Sequence, residues 1–207
     1  MTRIKICGVT TVEQALACAD AGADAIGVNF VATSPRRIDE RRARAIVEAI
    51  GDRALVVGVV AGLDVDRMRA LRDVTGVGCL QLHGDESSSD VAALLPHAYK
   101  AVRVASSVDV ARAEQMPGDF VMVDAKFGSA LGGTGHTFDW SLVVRLAERR
   151  RLVLAGGLTP DNAGLAVAQV RPWCVDVASG VESAPGVKDM GRVRAFVQAV
   201  RGAMPAT

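Results

Sequence analysis

The segment Arg151-Leu152-Val153-Leu154-Ala155-Gly156-Gly157-Leu158-Thr159-Pro160 carries the plan of the whole chain in one unit. It starts with a short apolar run of the kind that forms a buried strand. Two glycines end the run. Thr159 then stands as a helix N-cap, with Pro160 at the first helical position, where its missing N–H costs nothing.

Outward from this segment the same pattern recurs in both directions. The apolar runs are Arg3–Cys7, Asp24–Phe30, Ala54–Val60, Cys79–His83, Tyr99–Val104, Phe120–Asp124, Arg151–Ala155 and Cys174–Ala178. Amphipathic stretches of about ten residues lie between them. Thr11 opens the first, with Val12, Ala15, Leu16 and Ala19 on one face; Asp39 opens the second, with Ala43, Ile46, Val47 and Ile50. Asp64 opens the third, followed by Val65, Met68 and Leu71, and the last runs from Asp189 through Val193, Phe196, Val197 and Val200. Eight strand–helix units in 207 residues predict an α/β fold, a single (β/α)8 TIM barrel spanning 1–207 as one domain. The rival, a doubly wound open sheet, usually has fewer strands, and no linker divides this chain.

Composition agrees. Half the residues are hydrophobic but only 4% are aromatic, so Val, Leu, Ile and Ala must build the core. Val-rich runs suit a parallel sheet covered by helices. A net charge of +1 gives no field to attract nucleic acid or an anionic membrane. No segment reaches the roughly 18 to 20 apolar residues of a membrane span. The N-terminus lacks the apolar run of a signal peptide, so the expected location is cytoplasmic. Cys7, Cys18, Cys79 and Cys174 are scattered and have no histidine at ligand spacing, which predicts free thiols. His97 and His136 also stand alone, so no metal is expected.

In a barrel of this kind, chemistry sits at the C-terminal ends of the strands. Strand one ends Lys5-Ile6-Cys7-Gly8, and alternation puts Lys5 and Cys7 on one face. If that face points inward, Lys5 needs a carboxylate partner, for which Asp176 on the eighth strand is a candidate. Strand six closes an apolar run with Asp124, and a long glycine-rich connection containing Gly133 and Gly135 follows. Strand seven ends in Gly156-Gly157 and strand eight is followed by Ser179-Gly180. Glycines in those two loops suit an anion bound by backbone amides, the usual place for phosphate in this fold. Arg36, after strand two, could hold a carboxylate or could be a solvated loop cation. His83 sits at a strand mouth, where packing within the loop is the simpler role.

Together these pieces resemble the phosphoribosylanthranilate isomerase family. The resemblance runs through Lys5-Ile6-Cys7-Gly8, Ser34-Pro35-Arg36, Gln81-Leu82-His83-Gly84-Asp85-Glu86, Asp124, Gly132-Gly133-Thr134-Gly135, Phe138-Asp139-Trp140-Ser141, Ala155-Gly156-Gly157-Leu158 and Ser179-Gly180-Val181-Glu182. It implies an Amadori rearrangement of a phosphorylated aminoaldose, with Asp124 as general acid at the ribose ring oxygen and Cys7 as general base at C2′. It also implies Arg36 at the anthranilate carboxylate, and Gly156, Gly157, Ser179 and Gly180, with Gly133 and Gly135, around the phosphate. No cofactor is implied. The expected partner is a small phosphosugar, and the expected assembly is a monomer or homodimer. Two departures stand out: Gly27-Val28-Asn29-Phe30, where the family usually carries another aromatic, and Val59-Val60-Ala61-Gly62, where Phe-Val-Asn is common. They bear on substrate affinity or breadth. Another phosphate-binding barrel isomerase or epimerase, or a non-catalytic phosphosugar binder, is the competing expectation.

Overall fold

The computed structural model of the chain describes residues 1–124 and 139–203. Its strands are β1 Arg3–Cys7, β2 Ala25–Asn29, β3 Leu55–Val60, β4 Cys79–Leu82, β5 Ala98–Arg103, β6 Phe120–Asp124, β7 Arg151–Ala155 and β8 Cys174–Val177. All eight pair in parallel and in chain order, and β8 pairs back onto β1 to close the barrel. That closure excludes the open sheet. The helices α1 Val12–Asp20, α2 Glu40–Ile50, α3 Val65–Thr75, α4 Ser88–Leu94, α5 Ser107–Glu114, α6 Ser141–Arg149, α7 Pro160–Val170 and α8 Met190–Arg201 surround it.

The expected caps start the helices. Asp39 accepts from Arg42 N and Asp64 from Arg67 N, each at 2.8 Å, and Thr11 accepts from Gln14 N at 3.2 Å. A cap of this type contributes about 1 kcal/mol. Strand ends differ from the sequence reading by a residue or so. Asp24, for example, precedes β2; its backbone still bonds Ile4 and Leu55, and its carboxylate accepts from Ile4 N and from Arg201 Nη2, both at 2.8 Å.

Alternation along the strands divides the interior in two. Ile4, Ile6, Ile26, Leu80 and Leu152 face outward and pack with Met68, Leu146 and Phe196 of the helices. Val57, Tyr99, Ala101, Met122, Val153, Ala155 and Cys174 form a second, smaller cluster. Buried polar side chains accompany it: Lys5, Gln81 and Asp176. Lys5 and Asp176 are register partners across the β1–β8 seam.

One feature was absent from the eight-unit pattern. Between β8 and α8 lie a 3-10 turn, Ser179–Val181, and an antiparallel hairpin of β9 Glu182–Ala184 with β10 Val187–Lys188. Strands of three and two residues are too short to register as a period. No helix among the described residues is long and apolar enough to cross a membrane.

Candidate active site

A cavity of about 480 Å³ opens at the C-terminal ends of the strands. Cys7 from the end of β1 and Asp124 from the end of β6 both line it, as do Arg36, His83, Gly156, Gly157, Ser179 and Gly180. The remaining expected site residues, Gly133 and Gly135, lie outside the described residues. Among the described residues no group of three or more His, Cys, Asp or Glu side chains is placed to hold a metal.

The thiol side is built on a buried ion pair. Lys5 Nζ lies 2.8 Å from Asp176 Oδ1, the partner that burial demanded. Burial, the largest single influence, would lower the Lys5 pKa, but Asp176, Cys7 and Tyr99 together outweigh it and hold the ammonium well above its ordinary value. Cys7 responds to the same surroundings in the opposite sense. Burial pushes its thiol up, and the Lys5 charge only partly offsets that. In the unliganded protein Cys7 is therefore a thiol at neutral pH.

The carboxyl side is reached through His83. Its Nε2 is 3.4 Å from Asp124 Oδ2, and its Nδ1 is 2.8 Å from Gln81 Nε2. The turn carrying His83 is pinned by Lys100, whose Nζ donates to Leu82 O at 3.2 Å, Gly84 O at 2.6 Å and Glu86 Oε2 at 3.2 Å. Glu86 in turn accepts from Gly62 N at 3.0 Å and Gly84 N at 2.9 Å, which ties the loops after β3 and β4 together.

Arg36 is held from one side. Its Nε donates to Glu182 Oε1 at 2.8 Å and its Nη2 to Oε2 at 2.5 Å, a two-pronged bond that fixes the plane of the guanidinium. Nη1 makes no hydrogen bond among the described residues, so a second carboxylate can approach that edge. Burial alone would raise the Glu182 carboxyl; the bonds from Arg36 and Lys188 outweigh it and keep it below the ordinary range. Lys188 Nζ bonds Glu182 Oε1 at 2.8 Å, Cys7 O at 2.6 Å and Ala178 O at 3.1 Å. The hairpin thus braces the thiol strand, the Arg36 loop and the loop after β8 at once.

That last loop faces the one after β7. Gly156 and Gly157 have φ of 92° and 67°, conformations that favour glycine. Asn162 Nδ2 at the start of α7 holds Gly157 O at 3.0 Å. Across from them, a Cβ at Gly180 would run into the Leu158 carbonyl. The first amides of a helical turn have no internal partner, and the turn at Ser179–Val181 begins at this wall of the cavity.

Gln81, Glu182 and Lys188 had no role in the sequence reading. Gln81 carried a signal, since a lone amide inside Cys79-Leu80-Gln81-Leu82 sits on the inward face with Cys79. The other two belong to the hairpin and became visible only with it.

Fold and mouth together define an enzyme of the (β/α)8-barrel class with acid–base groups at its strand ends. Comparison with known proteins narrows the class. The family model described as N-(5′-phosphoribosyl)anthranilate (PRA) isomerase matches residues 4–199. The N-(5′-phosphoribosyl)anthranilate isomerase of Pseudomonas aeruginosa (strain LESB58) is 49% identical over 201 residues, covering 96% of this chain and 95% of that protein. The enzyme of that name from Geotalea uraniireducens is 43% identical and covers 98% and 100%. The crystal structure of phosphoribosyl anthranilate isomerase from Thermotoga maritima superposes with a TM-score of 0.90 at 36% identity, over 98% of this chain and 100% of that one. A phosphoribosyl anthranilate isomerase in complex with reduced 1-(o-carboxyphenylamino)-1-deoxyribulose 5-phosphate gives 0.87 at 34% identity, with the same coverage. The chain belongs to the phosphoribosylanthranilate isomerase family.

Proposed function

We propose that the chain converts N-(5-phosphoribosyl)anthranilate to 1-(o-carboxyphenylamino)-1-deoxyribulose 5-phosphate, the Amadori step of tryptophan biosynthesis. Besides family membership, one observation carries the reading: Cys7 and Asp124, from strands three apart around the closed barrel, line the same cavity.

In this reading Asp124 gives a proton to the ribose ring oxygen. The ring C–O bond breaks, the nitrogen lone pair forms a C=N bond to C1′, and Asp124 is left as the carboxylate. Cys7 then takes the proton from C2′, and the C2′–H electrons move into a C1′–C2′ double bond as the iminium collapses to the enolamine. Tautomerisation to the ketone completes the rearrangement. The reaction uses one acid and one base at the two ring neighbours of C1′, the ring oxygen and C2′, and it consumes no cofactor. Arg36, oriented by Glu182, faces the anthranilate carboxylate. The Gly156-Gly157 and Ser179-Gly180 loops take the phosphate, together with Gly133 and Gly135. The substrate's negative charges favour the acid form of Asp124, whereas the iminium cation formed on ring opening is the charge that favours the Cys7 thiolate.

We also infer that residues 1–207 fold as one domain, act in the cytoplasm, and work as a monomer or homodimer; a Thermotoga maritima relative is described as dimeric.

Purified protein should consume phosphoribosylanthranilate, read as loss of anthranilate-type fluorescence. Cys7→Ser and Asp124→Asn should each lower kcat about 10³-fold, within the range contributed by general acid–base groups. Normal turnover by both variants would remove the mechanism.

A further inference from the structure

We infer that Gln81 is a positioning residue that fixes the tautomer of His83 and thereby turns a neutral N–H donor toward Asp124. The inference rests on the isomerase reading for its catalytic consequence, and on hydrogen-bond chemistry alone for the tautomer.

The logic runs along a buried chain. The Lys5 ammonium can only donate, and it lies 3.0 Å from Gln81 Oε1. Tyr99 OH donates to the same oxygen at 2.9 Å. The carboxamide is therefore oriented without ambiguity, with its NH2 toward His83. An amide NH2 has no lone pair to offer, so His83 Nδ1, 2.8 Å away, must accept. A ring nitrogen that accepts carries no hydrogen. The single hydrogen of the neutral ring is then on Nε2, the atom facing Asp124 Oδ2 at 3.4 Å.

Two consequences follow for the acid. The ring turns a donor, not an acceptor, toward Oδ2. Once the acid's proton has gone to the ring oxygen, the new carboxylate already has a donor aimed at it. The 3.4 Å separation is longer than a formed hydrogen bond. Separations of this kind in unliganded enzymes tighten when substrate and charge arrive. A neutral donor is the useful one here, because an imidazolium beside Asp124 would stabilise the carboxylate before the proton was needed. The charged and titratable groups lining the two cavities that His83 borders are Cys7, Arg36, Arg103, Asp124 and Asp176 in one and Asp85, Glu86, Lys100, Arg103 and Arg112 in the other. None of these supplies the Nδ1 contact, which belongs to Gln81.

The chain of contacts has a second reading point at its origin. Lys5 is the same ammonium that offsets the burial of Cys7. One buried cation thus touches the base directly and orients the acid through Gln81 and His83.

The test uses the full chain labelled with ¹⁵N-histidine. Three histidines make the spectrum assignable, with His83→Gln identifying the resonance. In the unliganded wild type at neutral pH, His83 should be neutral with its hydrogen on Nε2. Gln81→Glu is isosteric and replaces the NH2 donor with an acceptor. It should move the hydrogen to Nδ1 or protonate both nitrogens, and lower kcat about 100-fold, with KM kept within about threefold because the lost interaction acts in the transition state. Gln81→Met, which offers neither donor nor acceptor, should give a mixture of tautomers and a kcat loss of about tenfold. A wild-type spectrum with the hydrogen on Nδ1, or a Gln81→Glu protein with unaltered kcat, would overturn the proposal. Should the variants not fold, the wild-type spectrum alone decides. A wild type with the expected tautomer and no isomerase activity would sink the catalytic reading and leave the hydrogen-bond assignment standing.

Discussion

The interior of this barrel has two open ends, lined by the same strands and very different in chemistry. At the C-terminal end a cavity of about 480 Å³ is lined by Cys7, Asp124, His83, Arg36 and two glycine loops. At the N-terminal end a cavity of about 260 Å³ is lined by Val57, Cys79, Phe120, Val153, Trp173 and Cys174. Lys5, Gln81, Tyr99 and Asp176 are hydrogen-bonded to one another between them. Below that polar layer most side chains have only to fill space, the exceptions being Arg3 and Asp24, which also line that cavity. Above it, side chains must present a particular atom in a particular protonation state.

The contrast can be broken from either end, and the largest effect belongs to the upper one. Asp124→Asn should remove about 10³-fold of kcat while changing the unfolding free energy by less than about 1 kcal/mol, because a partly exposed polar side chain is exchanged for an isostere. Chemical denaturation beside the fluorescence assay reads both. Met122, wholly buried on the inward face of β6 two residues before Asp124, should behave in reverse. Met122→Ala should lose about 3 kcal/mol of stability through the cavity it leaves, with kcat/KM within about twofold of wild type. A Met122→Ala protein that is stable and inactive would mean the two ends are not separable.

A smaller effect sharpens the account of the thiol. Burial raises the Cys7 pKa, so the thiolate is the minor form at neutral pH and its share grows as pH rises. Alkylation of the Cys7 peptide, followed by mass spectrometry, should therefore accelerate about tenfold per pH unit and show no plateau below about pH 8.5, the value for a free thiol. A plateau near neutrality would mean that Lys5 outweighs burial.

The upper end was legible in the sequence to the extent that it depends on position within a repeat. Cys7 and Asp124 stood out because each is a polar or reactive group closing an apolar run, and the fold says what strand ends do. The capped starts at Thr11, Asp39 and Asp64 were readable for the same reason, since a cap and its helix are adjacent in sequence. Partnerships formed by closing the ring were harder. Lys5 announced a need for a carboxylate, and Asp176, on the strand that closes onto the first, was a candidate. Gln81 announced nothing comparable. A neutral amide carries no obligatory partner type, and its contact to Lys5 spans 76 residues of sequence. Glu182 and Arg36 are 146 residues apart and meet through a hairpin too short to leave a periodic trace.

The departures at Val28-Asn29 and Ala61-Gly62 fall in the same place. Asn29 and Ala61 line the upper cavity, and with Val31 and Val59 they give that wall smaller side chains than an aromatic would. The thiol, carboxyl and guanidinium side chains do not depend on them.

The account stands on a thiol and a carboxyl group reaching one small sugar inside one cavity. A crystal structure with the reduced product analogue tests it most directly. Cys7 Sγ and an Asp124 oxygen should both lie within about 4 Å of the same ribulose chain, close to the reach needed for proton transfer. A ligand seated in the cavity that touches one of them and leaves the other out of reach would contradict it.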